Sequence, residues 1–139
     1  MNSGRAGDLI VARLNEGEDV LASIEAVAER EGAQTAIVVS GIGMIRGARL
    51  GYWDGGSYRI AEVEGPVELL SLHGSCIPGS VHLHAVVGME DHSTLGGHLL
   101  GGTVRYVNEV TMLAASGLEL AREEDRATGM RLLTVRPGK

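Results

Sequence analysis

The sequence predicts an α+β fold: a compact single domain with a central, mostly antiparallel sheet and one main helix at about 18–31. Three observations predict it. Only one stretch carries its apolar residues at helical spacing. Nearly every other apolar segment is short and bounded by glycine or aspartate turns. The order is strand, helix, then mostly strands, which favours a segregated α+β arrangement over alternating strand and helix units.

Each element has a local reason. Leu9 to Leu14 is an apolar-rich first strand, and Asn15-Glu16-Gly17 turns the chain. From Glu18 to Glu31 the apolar positions are Val20, Leu21, Ile24, Val27 and Ala28, a single stripe with Glu25, Glu29 and Arg30 facing away. Glu18 and Asp19 fall in the expected first turn, where acids suit the helix dipole, and Gly32 is a natural left-handed stop. Ala36 to Ser40 reads as a short buried strand, broken by Gly41-Ile42-Gly43. Ala48 to Tyr52 and Ser57 to Val63 flank Trp53-Asp54-Gly55-Gly56, a hairpin signal. Val67 to His73 and Val81 to Val87 are further strands. Thr103 to Ala115 is a long one, with Val104, Tyr106, Asn108, Val110 and Met112 on one face. Leu118 to Leu120 and Met130 to Val135 close the series around a polar turn at 123–129. The expected domain is 8–135, with short tails at 1–7 and 136–139.

Composition narrows the function. The 139 residues include one Trp, three Tyr and no Phe, so the core must be aliphatic. The 21 glycines imply tight turns and close backbone contacts. A net charge of −6 repels phosphate backbones, which makes nucleic acid an unlikely partner for the protein alone. The single cysteine, Cys76, fits a reducing compartment. With no apolar run near the length of a span and no signal-like N-terminus, the expected location is cytoplasmic, with no membrane contact.

The histidines carry the chemical signal. All five, His73, His82, His84, His92 and His98, fall between positions 73 and 98. His82 and His84 share one face of an expected strand, roughly 6.6 Å apart along it. His98, softened by Gly96-Gly97 in what reads as a loop, is the third candidate ligand. Three neutral imidazoles suit a divalent metal, zinc first, with nickel, cobalt and iron as alternatives that residue type does not separate. Glu68 and Glu109, inside apolar strands, are either solvent-facing or acceptors for an imidazole N–H behind the metal. His92 reads as a surface turn and His73 as a satisfied sheet residue. Asp91 is a turn acid before it is a general base. Cys76 reads as an apolar filler before a nucleophile. Gly41-Ile42-Gly43 follows a strand but lacks the third glycine of a dinucleotide-binding turn, so a sharp turn accounts for it better.

Five segments in register carry a resemblance. Val38-Val39-Ser40-Gly41-Ile42-Gly43, Gly65 to Gly74, His82-Leu83-His84, Gly96-Gly97-His98-Leu99 and Glu109-Val110 resemble the plants-and-prokaryotes conserved domain family, over about Asp8 to Val135. The resemblance implies a compact α+β domain and a homotrimer. In plants this domain follows AT-hooks and mediates protein association; in prokaryotes it stands alone. Two features depart from the plant pattern. Gly65-Pro66-Val67-Glu68 stands where plant members have Gly-Arg-Phe-Glu, and Arg136-Pro137-Gly138-Lys139 is only an echo of an AT-hook. The expected function is therefore a trimeric association module binding a divalent metal, its small-molecule or protein partner unspecified. The alternatives are a metal-dependent hydrolase or lyase and a DNA-binding regulatory protein.

Overall fold

The computed structural model describes residues 1–138. Nine strands and one helix follow in the order β1 (Asn2–Ala6), β2 (Leu9–Asn15), α1 (Val20–Arg30), β3 (Ala36–Trp53), β4 (Tyr58–Val63), β5 (Val67–Ile77), β6 (Ser80–Gly88), β7 (Thr94–Ala114), β8 (Leu118–Glu124) and β9 (Arg131–Pro137). Seven of the strands form one sheet in the order β1-β2-β7-β6-β5-β3-β4, and β7 also pairs with β3. Through that extra pairing β3, β5, β6 and β7 close into a ring. Every strand pairing among the described residues is antiparallel. The α+β expectation with one main helix stands.

The helix begins later than its sequence suggested. Asp19 is the N-cap, its carboxylate accepting from the Ala22 N–H at 2.9 Å. Glu18 lies before the helix and accepts from the Asn15 N–H and the N-terminal amine. Gly32, at φ 66°, ends the helix as expected. Its N–H reaches Glu29 O, and the Ala33 N–H reaches Ala28 O, the paired bonds of a Schellman cap. Val20, Ile24 and Val27 are fully buried against the sheet, each worth about 1.5–3 kcal/mol. The core they join is wholly aliphatic: Ile10, Leu14, Ile45, Leu69, Leu72, Leu83, Leu99 and Met112 fill it, and all four aromatic side chains are exposed.

Several boundaries are corrected. Residues 2–6, expected as a tail, form β1 and pair with β2. Gly41-Ile42-Gly43 does not stop a strand. β3 runs through it as 18 residues, bent where its pairing with β7 shifts between Gly43 and Met44. Side chains have no room there: a Cβ on Gly43 would meet Val107 O at 2.1 Å, and one on Gly41 would meet Leu72 Cβ at 2.6 Å. Tyr106 leaves the face expected for it. It and Val107 loop out between the pairs Met44↔Arg105 and Gly43↔Asn108, and Tyr106 sits at φ 66° with its side chain exposed. Because two residues are inserted, alternation resumes in phase, and Val104, Asn108, Val110 and Met112 are buried. The acids Glu123 and Glu124 belong to β8 rather than to the turn, which is held by Asp125 accepting from Thr128 N–H and Oγ.

Candidate metal centre

β6 positions two of the histidines. His82 and His84 project from the same face, and their Nε2 atoms lie 3.1 Å apart. The third is placed by pairing rather than by a loop. His98 lies within β7, directly opposite His84 on β6, so both side chains leave the same side of the sheet. The ring centroids of His82 and His98 are 4.7 Å apart, and those of His84 and His98 are 5.3 Å apart. One ring nitrogen from each histidine lies within 4.8 Å of the other two. The loop expected at Gly96-Gly97-His98 is thus strand. Its glycines act by letting strands approach, since a Cβ on Gly97 would sit 2.8 Å from Gly51 O.

The donor set fits a metal. Two nitrogens about 2.05 Å from a tetrahedral zinc ion stand about 3.3 Å apart, and none can stand further apart than about 4.1 Å. The His82–His84 separation matches the first figure. The three nitrogens lie within 4.8 Å of one another, so the rings must draw in slightly for all three to reach one ion. Two of the imidazoles, His82 and His98, are also biased toward the neutral form. Burial, then the guanidinium of Arg122, then the charges of His98 and His84 push His82 down to about 4. Burial first, then His84 and Arg122, hold His98 below its ordinary value. Neutral rings are the metal-binding form.

This sets a pH dependence for the metal-free protein. The unfolded chain takes up protons on these histidines near pH 6.5, whereas folded His82 resists until about 4. Between those values the unfolded state binds more protons, so stability falls as pH drops. Urea melts at steps from pH 7 to 4.5 are expected to show this slope, and His82→Ala to show a shallower one. Equal slopes in both proteins would contradict the assignment.

The other histidines stand where the sequence put them. His73 lies opposite His84 on β5, with its ring stacked 6.5 Å away and its Nδ1 3.3 Å from Ser71 Oγ. It flanks the cluster as a hydrogen-bonded sheet residue. His92, at φ 65°, is in the turn from Met89 to Ser93. Asp91 is committed to that turn, accepting from Ser93 N–H and Oγ, and these bonds hold its carboxyl below its usual range. Cys76 is buried, and its thiol is pushed up to about 11 by that burial, so it stays protonated.

Glu68 and Glu109 are not brought to the histidines. Glu68 pairs with Met44 and Gly88, far along β5 from His73. Glu109 pairs with Arg13 and Ile42 in the other half of β7. Both side chains are exposed, the solvent-facing alternative of the alternation. The group that touches the cluster from behind is one the sequence did not flag. Tyr58 follows the β3–β4 turn, and its hydroxyl lies 3.5 Å from His98 Nδ1. Its ring packs on His98 with centroids 5.2 Å apart, over Gly51, where any Cβ would meet Tyr58 Cδ1 at 2.7 Å. Nδ1 facing Tyr58 leaves His98 Nε2 toward the other rings.

Known proteins share this architecture. The sequence matches the profile of the Plants and Prokaryotes Conserved (PCC) domain over residues 1–116. The chain belongs to the PCC domain family. A plant- and prokaryote-conserved protein from Pyrococcus horikoshii is 31% identical, with a TM-score of 0.82 and coverage of 96% of this chain and 93% of that one. A metal-containing protein from Archaeoglobus fulgidus is 32% identical, with a TM-score of 0.80 and coverage of 94% and 95%. A proposed DNA-binding protein from Ralstonia eutropha is 26% identical, with a TM-score of 0.83 and coverage of 95% and 94%. Among curated proteins, the bifunctional protein GlmU of Synechococcus sp. strain JA-2-3B'a(2-13) is 34% identical over 127 residues. Those residues are 90% of this chain but only 20% of that protein, so the chain spans about a fifth of the length of the curated relative. The β8–β9 hairpin of this PCC domain lies beyond the matched residues.

Proposed function

We propose that this PCC domain is a trimeric association module that holds one divalent metal ion, zinc for preference, on His82, His84 and His98. The observation that carries the metal is the convergence of three imidazole nitrogens within 4.8 Å from two paired strands. The metal-containing relative from Archaeoglobus fulgidus supports it. When bound, the ion supplies a Lewis-acidic centre with an open position, since three protein ligands leave a fourth place on zinc. The chain's own groups do the rest: Tyr58 orients His98, and burial keeps His82 unprotonated. Equilibrium dialysis against zinc at pH 7 is expected to give one ion per chain; no retained zinc would overturn the reading.

The trimer rests on a surface that one copy leaves uncovered. Leu9, Leu113 and Ile37 lie side by side across β2, β7 and β3 and are 44%, 43% and 37% exposed. Val11, Val39 and Ile42 extend the patch. A sheet that is apolar on both faces needs cover on both. Light scattering is expected to give three times 14.6 kDa, and a monodisperse monomer would contradict it. Cys76, a buried free thiol, suits a reducing, cytoplasmic setting.

A second reading, a metal-dependent hydrolase or lyase, is favoured by the open metal position. It lacks a base: among the described residues no carboxylate is hydrogen-bonded to the three histidines. DNA binding draws support only from relatives such as the Ralstonia protein, and the net charge of −6 opposes it. A gel shift with random duplex at physiological salt is expected to show nothing tighter than about 10⁻⁴ to 10⁻⁶ M. Sub-micromolar, sequence-selective binding would restore the DNA reading.

A further inference from the structure

We propose that Arg122 and the metal on His82, His84 and His98 together bind a small oxyanion, a carboxylate or phosphate group. This rests on the metal reading above. Arg122 comes from β8, in the hairpin beyond the matched family segment. Its guanidinium donates to Ser75 Oγ at 3.3 Å, and Ser75 is the residue directly opposite His82 across β5 and β6. The arginine therefore stands at the edge of the metal cluster.

Its charge has no partner there. Among the described residues no carboxylate lies within ion-pair distance of Arg122, and its Nε is buried without an acceptor. The contrast within the chain is clear. Arg105, also half-buried, meets Glu16 at 3.0 Å. In a chain with 18 acids and a net charge of −6, an unneutralised guanidinium next to three imidazoles is not a default outcome. A half-buried charge without a partner is costly, and adding a dication beside it makes the repulsion worse. An anion between the two cations removes both costs. Oxyanions suit the place: one oxygen can take the open metal position while another accepts from the planar guanidinium fork. The Ser75 bond takes one terminal nitrogen of that fork and fixes where the guanidinium stands.

Calorimetric titration of acetate and of inorganic phosphate tests this, using zinc-loaded and metal-free forms of wild type, Arg122→Gln and Arg136→Gln. Arg136 pairs with Glu123 in the same hairpin, away from the histidines, and controls for hairpin damage. The zinc-loaded wild type is expected to bind at least one of the anions. Arg122→Gln should bind it about tenfold to a hundredfold more weakly, the loss typical of a charged hydrogen bond. Zinc content should stay equal, and Arg136→Gln should match wild type. Equal anion affinity in wild type and Arg122→Gln at full zinc loading overturns the proposal, as does equal weakening in both variants. If wild type holds no zinc, the metal reading fails instead. The arginine's part then stands only if the metal-free wild type still binds anion more tightly than Arg122→Gln, and falls if it does not.

Discussion

Gly74→Ala is expected to lower the melting temperature by about 10 °C or more, a loss of roughly 4 kcal/mol. Gly74 sits in β5 at φ 148°, in a region that L side chains rarely enter. A Cβ built there would lie 2.0 Å from the His82 carbonyl oxygen and 3.0 Å from Leu83 Cα. Both contacts are with backbone, so no side-chain rotation relieves them. β5 and β6 must separate at the pair Gly74↔Leu83. That separation displaces His82, so zinc affinity should fall together with stability. Gly55→Ala, at φ 101° in the β3–β4 turn with no atom near its Cβ, carries backbone strain alone and should cost about 1–3 kcal/mol. A Gly74→Ala protein that melts within a degree of wild type would show that β5 and β6 are not packed this closely.

His84→Ala is expected to reduce zinc affinity by well over tenfold, because changes behind a ligand alone cost 10–100-fold. His84 is the centre of the cluster, paired with His98 on one side and neighbouring His82 on its own strand. Its side chain is exposed, so its removal opens no cavity in the core. The aliphatic core does not depend on the ion, and the variant should stay folded in far-ultraviolet circular dichroism with or without zinc. Mass-spectrometric metal analysis of tag-free wild type and His84→Ala, each offered zinc and dialysed, checks this. Equal, substoichiometric zinc in both would leave the histidines an ordinary polar sheet face.

Local physics was legible in the sequence, and long-range pairing was not. The pair His82 and His84 follows from the twofold period of a strand, which needs only neighbouring residues. The helix, its Gly32 stop and the Asp-Gly turn at Asp54 are equally local. His98 is legible by residue type and proximity, but its place inside a strand is not. Gly96-Gly97 reads as a loop, whereas Gly97 serves a close approach of β7 to Gly51 that only the β3–β7 pairing creates. The same blindness made Gly41 to Gly43 look like a turn. It also left Glu68 and Glu109 as candidates, because which half of a long bent strand faces the site is a tertiary matter. Tyr58 and Arg122 reach the cluster from hairpins about 40 residues before His98 and 24 residues after it, with no motif to mark them.

Crystals of the protein grown with zinc, measured on both sides of the zinc absorption edge, test the central claim most directly. The account predicts one anomalous peak per chain, about 2.0–2.1 Å from a ring nitrogen of each of His82, His84 and His98. No peak at the cluster, or zinc held elsewhere while the three imidazoles stay bonded to one another, would contradict it.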